Sequence, residues 1–184
     1  MEQKKPKTTA AISVCGLFIA LSVVIMLIAH IGVLSYAVPA LAGALLVIIY
    51  LELGVKNAFI VYLAVSVLSF IIGVQPDAFL CYALFFGYYP FVKAYLERIK
   101  SKTVQWIVKV ALFTVAFSLV LLLGMYVFGV PIDDMGYGIW YLVGLGIGLE
   151  LMFVLYDIAL TRVITLYIYR YQANFKKLMR INKK

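Results

Sequence analysis

Residues 10–31 read AAISVCGLFIALSVVIMLIAHI and contain no Lys, Arg, Asp or Glu. A helix of about 20 apolar residues is long enough to cross the hydrocarbon core of a bilayer, which is roughly 30 Å thick. The run lacks a clear small-x-small cleavage site before His30. We therefore expect this run to stay in the chain as a first transmembrane helix rather than to be removed as a signal peptide.

The composition of the whole chain also indicates lipid as the solvent. Of 184 residues, 66% are hydrophobic and 13% are charged, and the mean hydropathy is +1.07. Most of the apolar runs lack the polar stripe of a water-facing helix. Charged and turn residues divide them into six spans, which cover residues 10–31, 36–53, 58–74, 78–95, 104–130 and 138–169. We predict an all-α bundle of six transmembrane helices that forms one domain over residues 1–184.

The basic residues predict the orientation of the bundle. All 16 Lys and Arg residues can be placed on one side of six crossings, whereas the opposite loops carry Asp77, Asp133 and Asp134. Positive charge collects on cytoplasmic flanks. We therefore expect a plasma-membrane protein with both termini in the cytoplasm, as a basic tail at residues 1–9 and a basic helix end at residues 170–184. The net charge of +8 then indicates contact with membrane lipids rather than with nucleic acid.

The sixth span is longer than the bilayer requires, so its cytoplasmic end should project from the membrane. This end mixes aromatic, apolar and basic residues, as interfacial helices do. It could serve as a docking surface for a partner or anionic lipid, or only as an anchor for orientation.

Signatures of soluble enzymes are missing from the sequence, which has no GxSxG, HExxH, phosphate-binding loop or dinucleotide fingerprint. His30 is the single histidine, and Cys15 and Cys81 lie in apolar spans without CxxC spacing. We interpret both thiols as inert. The sequence thus predicts a protein that is not an enzyme and that uses no cofactor or metal.

Glu150 is the most informative polar residue, because it lies about 12 residues into the sixth span, near the middle of the bilayer. An uncompensated carboxylate at that depth costs about 3 kcal/mol or more. Either Glu150 contacts a substrate or a proton in a polar cavity, or it forms an interhelical hydrogen bond. Asp157 follows on nearly the same helical face. For Asp157 we expect a structural role, with Arg162 and Lys109 as its partners at the inner boundary of the membrane.

A second group of candidates falls at outer helix ends or in outer loops. Its aromatic faces and carboxylates suit a flat, neutral or cationic organic solute, and the alternative is an aromatic belt at the headgroup level. The group comprises His30, Tyr36, Asp77, Tyr82, Asp133, Asp134, Tyr137, Trp140 and Tyr141. We predict that the solute is bound by Glu150, His30, Tyr36, Asp77, Tyr82 and Trp140.

Two further patterns concern helix shape and packing. Pro90, which follows Gly87 in the fourth span, predicts a kink because proline removes a backbone hydrogen bond. In the first span, small residues recur four apart, and such stripes favour close contact with another helix, inside the protein or in a partner. The stripes pair Ala11 with Cys15 and Gly16 with Ala20.

The chain resembles the substrate-binding S components of energy-coupling factor (ECF) vitamin transporters. The resemblance lies in the length, in six spans with both ends inside, in a basic tail before a small-residue first helix, and in acidic or aromatic outer loops. The first helix of that family commonly carries an Ala-x-x-x-Ala stripe, which docks on a transmembrane coupling subunit. Ala11 with Cys15 and Gly16 with Ala20 are the nearest matches here. The resemblance implies that a small organic solute binds from outside and that uptake is energised by the coupling subunit with ATPases.

Two other classes of membrane protein fit the same layout. One is a non-enzymatic scaffold similar to the rod-shape protein of the MreD type, which recruits partners without binding a solute. The other is a small independent carrier or lipid-handling protein. Such a carrier usually shows an internal repeat, and none is visible in the sequence.

Overall fold

A computed structural model describes residues 8–31, 35–127 and 139–172, without the side chains of Thr8, Met125, residues 139–143 and Leu145. The basic ends at residues 1–7 and 173–184 lie outside this description, as do Asp133, Asp134 and Tyr137. No strand occurs in the three described stretches, which are almost entirely helical. The predicted all-α class is confirmed for this part of the chain.

The helices follow the predicted spans closely. A short 3₁₀ turn, Ile28–His30, extends the first helix, and two segments, Tyr82–Phe86 and Tyr167–Tyr171, have π-helical hydrogen bonding. The α-helices are α1 (Thr8–Leu27), α2 (Ala37–Leu53), α3 (Val55–Ile72), α4 (Pro76–Cys81), α5 (Tyr89–Leu96), α6 (Lys102–Tyr126) and α7 (Ile139–Leu166).

Within the described residues, five helical stretches are long and apolar enough to cross a membrane, and α2 is a shorter apolar helix. The five stretches are Thr9–His30, Val55–Ile72, Pro76–Leu96, Lys102–Gly124 and Gly146–Tyr171. Large apolar side chains such as Leu17 and Ile71 are 66% and 71% exposed. Apolar surface on this scale is compatible with a multi-pass protein whose helices face lipid.

Glycine ends two of the helices at the predicted breaks. Gly54 separates α2 from α3 with φ +83°, and Gly73 ends α3 with φ +79°. Positive φ values suit glycine because it has no Cβ. The N–H of Gly54 donates to the carbonyl of Tyr50, and that of Val74 donates to the carbonyl of Ser69. These hydrogen bonds use carbonyls that a helix end otherwise leaves without a donor.

The fourth predicted span is broken where Pro90 predicts a kink. The N–H of Gly87 donates to the carbonyl of Tyr82 at 2.8 Å, five residues back instead of four. Pro90 has no N–H to offer the carbonyl of Phe86. That carbonyl oxygen instead lies against Gly43 of α2, where a Cβ would overlap it. The break therefore lets α2 approach the backbone of the fourth span.

Two larger apolar cores and one smaller core hold the bundle together. The first, among α1, α2 and α3, includes the fully buried Met26, Leu46, Ile49 and Val61. The second core is aromatic and joins the fourth span to α6 and α7 through Phe85, Tyr89, Phe113 and Phe153. The rings of Phe113 and Phe153 are stacked with centroids 4.7 Å apart. Tyr89 of this core also contacts the first of the polar groups described next.

Candidate functional site

A buried charge cluster is centred on Asp157 of α7, which is only 4% exposed. Its Oδ1 atom accepts hydrogen bonds from the Tyr89 hydroxyl and from Lys93 Nζ, each at 2.5 Å. Its Oδ2 atom accepts a hydrogen bond from Lys109 Nζ at 2.9 Å. One carboxylate therefore links α5, α6 and α7.

Lys93 is 1% exposed, and its ammonium group donates two hydrogen bonds to Asp157. The acceptors are Asp157 Oδ1 and the Asp157 backbone carbonyl, the latter at 3.1 Å. Glu97 Oε1 forms an ion pair with the same ammonium group at 2.9 Å. Burial of this lysine is tolerable because its charge is both paired and hydrogen-bonded.

Lys109, which is 4% exposed, completes the cluster. Its ammonium lies 3.5 Å from Glu97 Oε1 and 5.3 Å from the centroid of the Trp106 ring. The two lysines and the carboxylates of Glu97 and Asp157 sum to zero formal charge. Loss of either partner from a buried ion pair is costly, because it strands the other charge. The cluster is therefore a compensated joint between helices.

Of the two partners predicted for Asp157, Lys109 is confirmed and Arg162 is wrong. Lys109 pairs with Asp157, whereas the side chain of Arg162 is exposed and forms no ion pair with any described residue. The sequence interpretation missed Lys93 and Tyr89. These two residues are four apart in the fourth span and so share one helical face, which is the signal that could have identified them.

Glu150 forms the second polar group, about two turns of α7 away from Asp157. The Thr114 hydroxyl of α6 donates to Glu150 Oε1 at 2.6 Å. The same hydroxyl lies 2.9 Å from the Val110 carbonyl, although it has a single hydrogen to donate. Glu150 Oε2 is buried and has no hydrogen-bond partner in the described part of the chain. The interhelical hydrogen bond is thus present, and contact with a solute stays a prediction.

The contacts between α6 and α7 fix how these helices run. Lys109 meets Asp157, and Thr114, further along α6, meets Glu150, which comes earlier in α7. Residues with higher numbers on α6 contact residues with lower numbers on α7, so the two helices are antiparallel. At a rise of about 1.5 Å per residue, the two carboxyl groups are separated by roughly 10 Å along α7. Glu150 therefore lies about two turns along α7 from the charge cluster, and it is less buried than Asp157.

Two of the predicted outer residues lie close together. Partial burial raises the pKa of Tyr36, and the nearby Asp77 carboxylate and the Cys81 thiol raise it further. The two turns that carry Tyr36 and Asp77 are also joined directly, because Ser35 Oγ donates to Gln75 Oε1 at 2.7 Å. Tyr36 and Asp77 thus share one end of the bundle.

Two other outer candidates with described side chains, His30 and Tyr82, have different surroundings. His30 is exposed, with Nδ1 3.1 Å from the Leu27 carbonyl of its own turn. Tyr82 was expected at a helix end or in a loop, but it lies inside the continuous stretch Pro76–Leu96 and is 0% exposed. Its ring packs against Tyr62 with centroids 6.1 Å apart, because the π-helical segment turns it into the core. The backbone of Trp140 belongs to α7, and its side chain lies outside the described set.

The small residues of α1 divide between two environments. Ala11 and Cys15 are half-buried, and Cys15 packs against the first apolar core. Gly16 and Ala20 are exposed, and a Cβ at Gly16 would meet no atom within 4 Å. The pair Gly16 and Ala20 therefore leaves an open, small-residue patch on α1.

The two carboxyl groups in α7 differ in what they can still bind. Both carboxylate oxygens of Asp157 accept hydrogen bonds, whereas one oxygen of Glu150 has no hydrogen-bond partner among the described residues. No protein-family model, curated protein or solved structure matches this chain. Among residues 8–31, 35–127 and 139–172, no group of three or more His, Cys, Asp or Glu side chains is arranged to hold a metal ion.

Proposed function

We propose that this chain is the membrane-embedded, solute-binding subunit of a micronutrient uptake transporter, energised by separate coupling and ATPase subunits. The proposal rests on the resemblance of the whole chain to ECF S components and on the state of Glu150. The solute is a small, vitamin-like organic molecule that binds from the outer side.

Glu150 is the observation that carries the proposal. A carboxyl group within the bilayer faces a protein interior or a polar path, and it marks a functional site by default. Thr114 hydrogen-bonds to one oxygen of Glu150, and the other oxygen, which has no partner among the described residues, can accept a hydrogen bond from a solute or face a cationic group on it. The Asp157 cluster supports this site because it fixes α7 against α5 and α6.

The proposed orientation places both termini in the cytoplasm of a bacterial cell. The charge cluster then lies near the inner boundary, because Lys93 and Lys109 flank the basic connection between α5 and α6. Tyr36 and Asp77 lie at the outer end, where the solute enters. Tags or protease sites at the two chain ends test this topology, and accessibility on opposite faces of the membrane contradicts it.

The proposed coupling subunit docks on α1. Small residues let helix backbones approach closely within lipid. Gly16 and Ala20 are exposed, so their patch is open to a helix from another subunit. The same patch also suits a membrane scaffold of the MreD type, which is the second candidate function.

Mass spectrometry of gently solubilised native protein distinguishes the transporter subunit from the scaffold and from a lipid-handling protein. A retained small organic molecule, together with a membrane subunit and ATPases, is the result expected for the transporter. Retention of cell-wall proteins with no small molecule favours the scaffold, and retention of lipid alone favours a lipid-handling protein.

A further inference from the structure

The connection between α5 and α6, which we call the basic turn (residues 97–102), presents three exposed cations. Arg98, Lys100 and Lys102 form no ion pair with any described residue. Glu97 is the acidic residue of the turn, and its Oε1 lies 2.9 Å and 3.5 Å from the ammonium groups of the two buried lysines of the charge cluster. Since this carboxylate already serves the cluster, the three cations keep their charge at the surface.

Hydrogen bonds fix the backbone of the basic turn. The side-chain amide of Gln105 donates to the carbonyl of Ile99 at 2.6 Å and to that of Glu97 at 3.3 Å. The N–H of Val104 lies 3.5 Å from the Ser101 hydroxyl oxygen, which caps the start of α6. A ligand of the turn therefore has little backbone to order when it binds.

Two aromatic side chains flank the basic turn. Tyr95 is 52% exposed and Trp106 is 39% exposed, and such residues favour the headgroup level of a bilayer. The turn joins the stretches Pro76–Leu96 and Lys102–Gly124, so in a bilayer that both stretches cross it lies at the membrane surface. The guanidinium carbon of Arg98 lies 5.2 Å from the centroid of the Tyr95 ring. A guanidinium group stacked on a ring still offers its N–H edges to a phosphate.

The same end of the bundle carries other exposed cations, but they lie outside the basic turn. Lys56 follows the break between α2 and α3, and Arg162 and Arg170 lie towards the end of the last helical stretch. The two regions share one end of the bundle because the Tyr167 hydroxyl donates to Glu52 Oε1 at 3.3 Å. These three residues provide a control of equal charge.

We propose that the basic turn binds the phosphate groups of anionic phospholipids in the leaflet that faces this end of the bundle. An anion fits because the cations of the turn have no carboxylate of their own. A lipid fits because the turn lies where two apolar stretches end and because aromatic side chains flank it. The site is separate from Glu150 and does not depend on the proposed transport function.

Native mass spectrometry of the full-length protein in detergent tests this proposal. The protein is titrated with phosphatidylglycerol, which is anionic, and separately with phosphatidylcholine, which has no net charge. The turn variant combines Arg98→Gln, Lys100→Gln and Lys102→Gln. The control variant combines Lys56→Gln, Arg162→Gln and Arg170→Gln.

The wild type should retain phosphatidylglycerol in preference to phosphatidylcholine. A basic residue near an anionic membrane surface contributes about a fivefold factor to binding. The turn variant should therefore lose about tenfold or more of the affinity for phosphatidylglycerol, whereas the control variant should keep most of it. Lys100→Gln alone should lose about fivefold, which tests the proposal even if the triple substitution impairs folding.

Three results would overturn the proposal. Equal retention of the two lipids by the wild type shows that the turn does not select anionic headgroups. Equal losses in the turn variant and the control variant show that the attraction belongs to the whole basic end and not to the turn. Displacement of the lipid by inorganic phosphate at an equal concentration shows that the turn is a site for a free anion.

Discussion

Lys109 Nζ lies 2.9 Å from Asp157 Oδ2, and this ion pair between α6 and α7 is almost completely shielded from solvent. With Lys93 on the other carboxylate oxygen, it makes Asp157 the joint of three helices. The cluster therefore governs stability, whereas Glu150, two turns earlier in α7, has one buried oxygen with no hydrogen-bond partner among the described residues.

Replacement of Asp157 by Asn should destabilise the protein strongly. The change leaves the buried ammonium groups of Lys93 and Lys109 with Glu97 as their one carboxylate partner. An uncompensated buried charge of this kind costs about 3–5 kcal/mol. Thermal unfolding in detergent measures the loss, with exposed Arg162→Gln as the control, which should unfold like the wild type. An Asp157→Asn variant as stable as that control contradicts the structural role of the cluster.

A second substitution should partly rescue that variant. The cluster has zero formal charge in the wild type and gains one positive charge in Asp157→Asn. Addition of Lys109→Met returns the sum to zero and replaces a buried ammonium by an apolar side chain of similar length. We expect Asp157→Asn with Lys109→Met to unfold at a higher temperature than Asp157→Asn alone. A double variant less stable than Asp157→Asn alone would show that charge balance does not stabilise the cluster.

Substitution of Gly43 should disturb the contact between α2 and the broken span. A Cβ at Gly43 overlaps the Phe86 carbonyl oxygen, which is a backbone atom and cannot rotate away. Gly43→Ala should cost about 1–3 kcal/mol, as overpacking does in other cores. Gly16→Ala is the matched control in another helix of the bundle, because it meets no atom within 4 Å. Equal melting temperatures for the two variants would show that α2 does not approach Phe86 this closely.

A large side chain at Gly16 should impair partner assembly without harm to the fold. Gly16→Leu adds volume to an open surface, so the melting temperature of the isolated protein should stay near the wild-type value. A helix packed against this patch, however, would be forced away. Pull-downs from native membranes should therefore recover less partner with Gly16→Leu than with wild type. Full recovery would place the partner interface elsewhere.

Much of the fold could be predicted from the sequence, because lipid imposes a strong rule on helix length and hydrophobicity. The spans, the turns at Gly54 and Gly73 and the break near Pro90 all follow from such local patterns. The shift to π-helical hydrogen bonding at Tyr82 could not be predicted, since it depends on how the neighbouring helices α2 and α3 pack against the break.

The polar groups were predicted less completely than the helices. Lys109 could be proposed as a partner of Asp157, because both residues are expected near the cytoplasmic side of the membrane. The position of Lys93 in the sequence indicates the basic cytoplasmic side and not the interior, because net charge alone does not reveal a lysine that is paired with two carboxylates. Thr114 also gave no signal as the partner of Glu150, because it is an ordinary residue within an apolar helix.

The most direct test of the proposed solute-binding function is thermal unfolding of wild-type protein and Glu150→Gln against a panel of water-soluble vitamins. We predict that one compound raises the wild-type melting temperature, as a ligand of the native state must; at 100 times its Kd the gain is about 2.7 kcal/mol. The same compound should stabilise Glu150→Gln much less, although the two proteins unfold at similar temperatures without ligand. If no compound stabilises the wild type, and Glu150→Gln is as unstable as Asp157→Asn, then Glu150 is a structural residue and the proposed function is wrong.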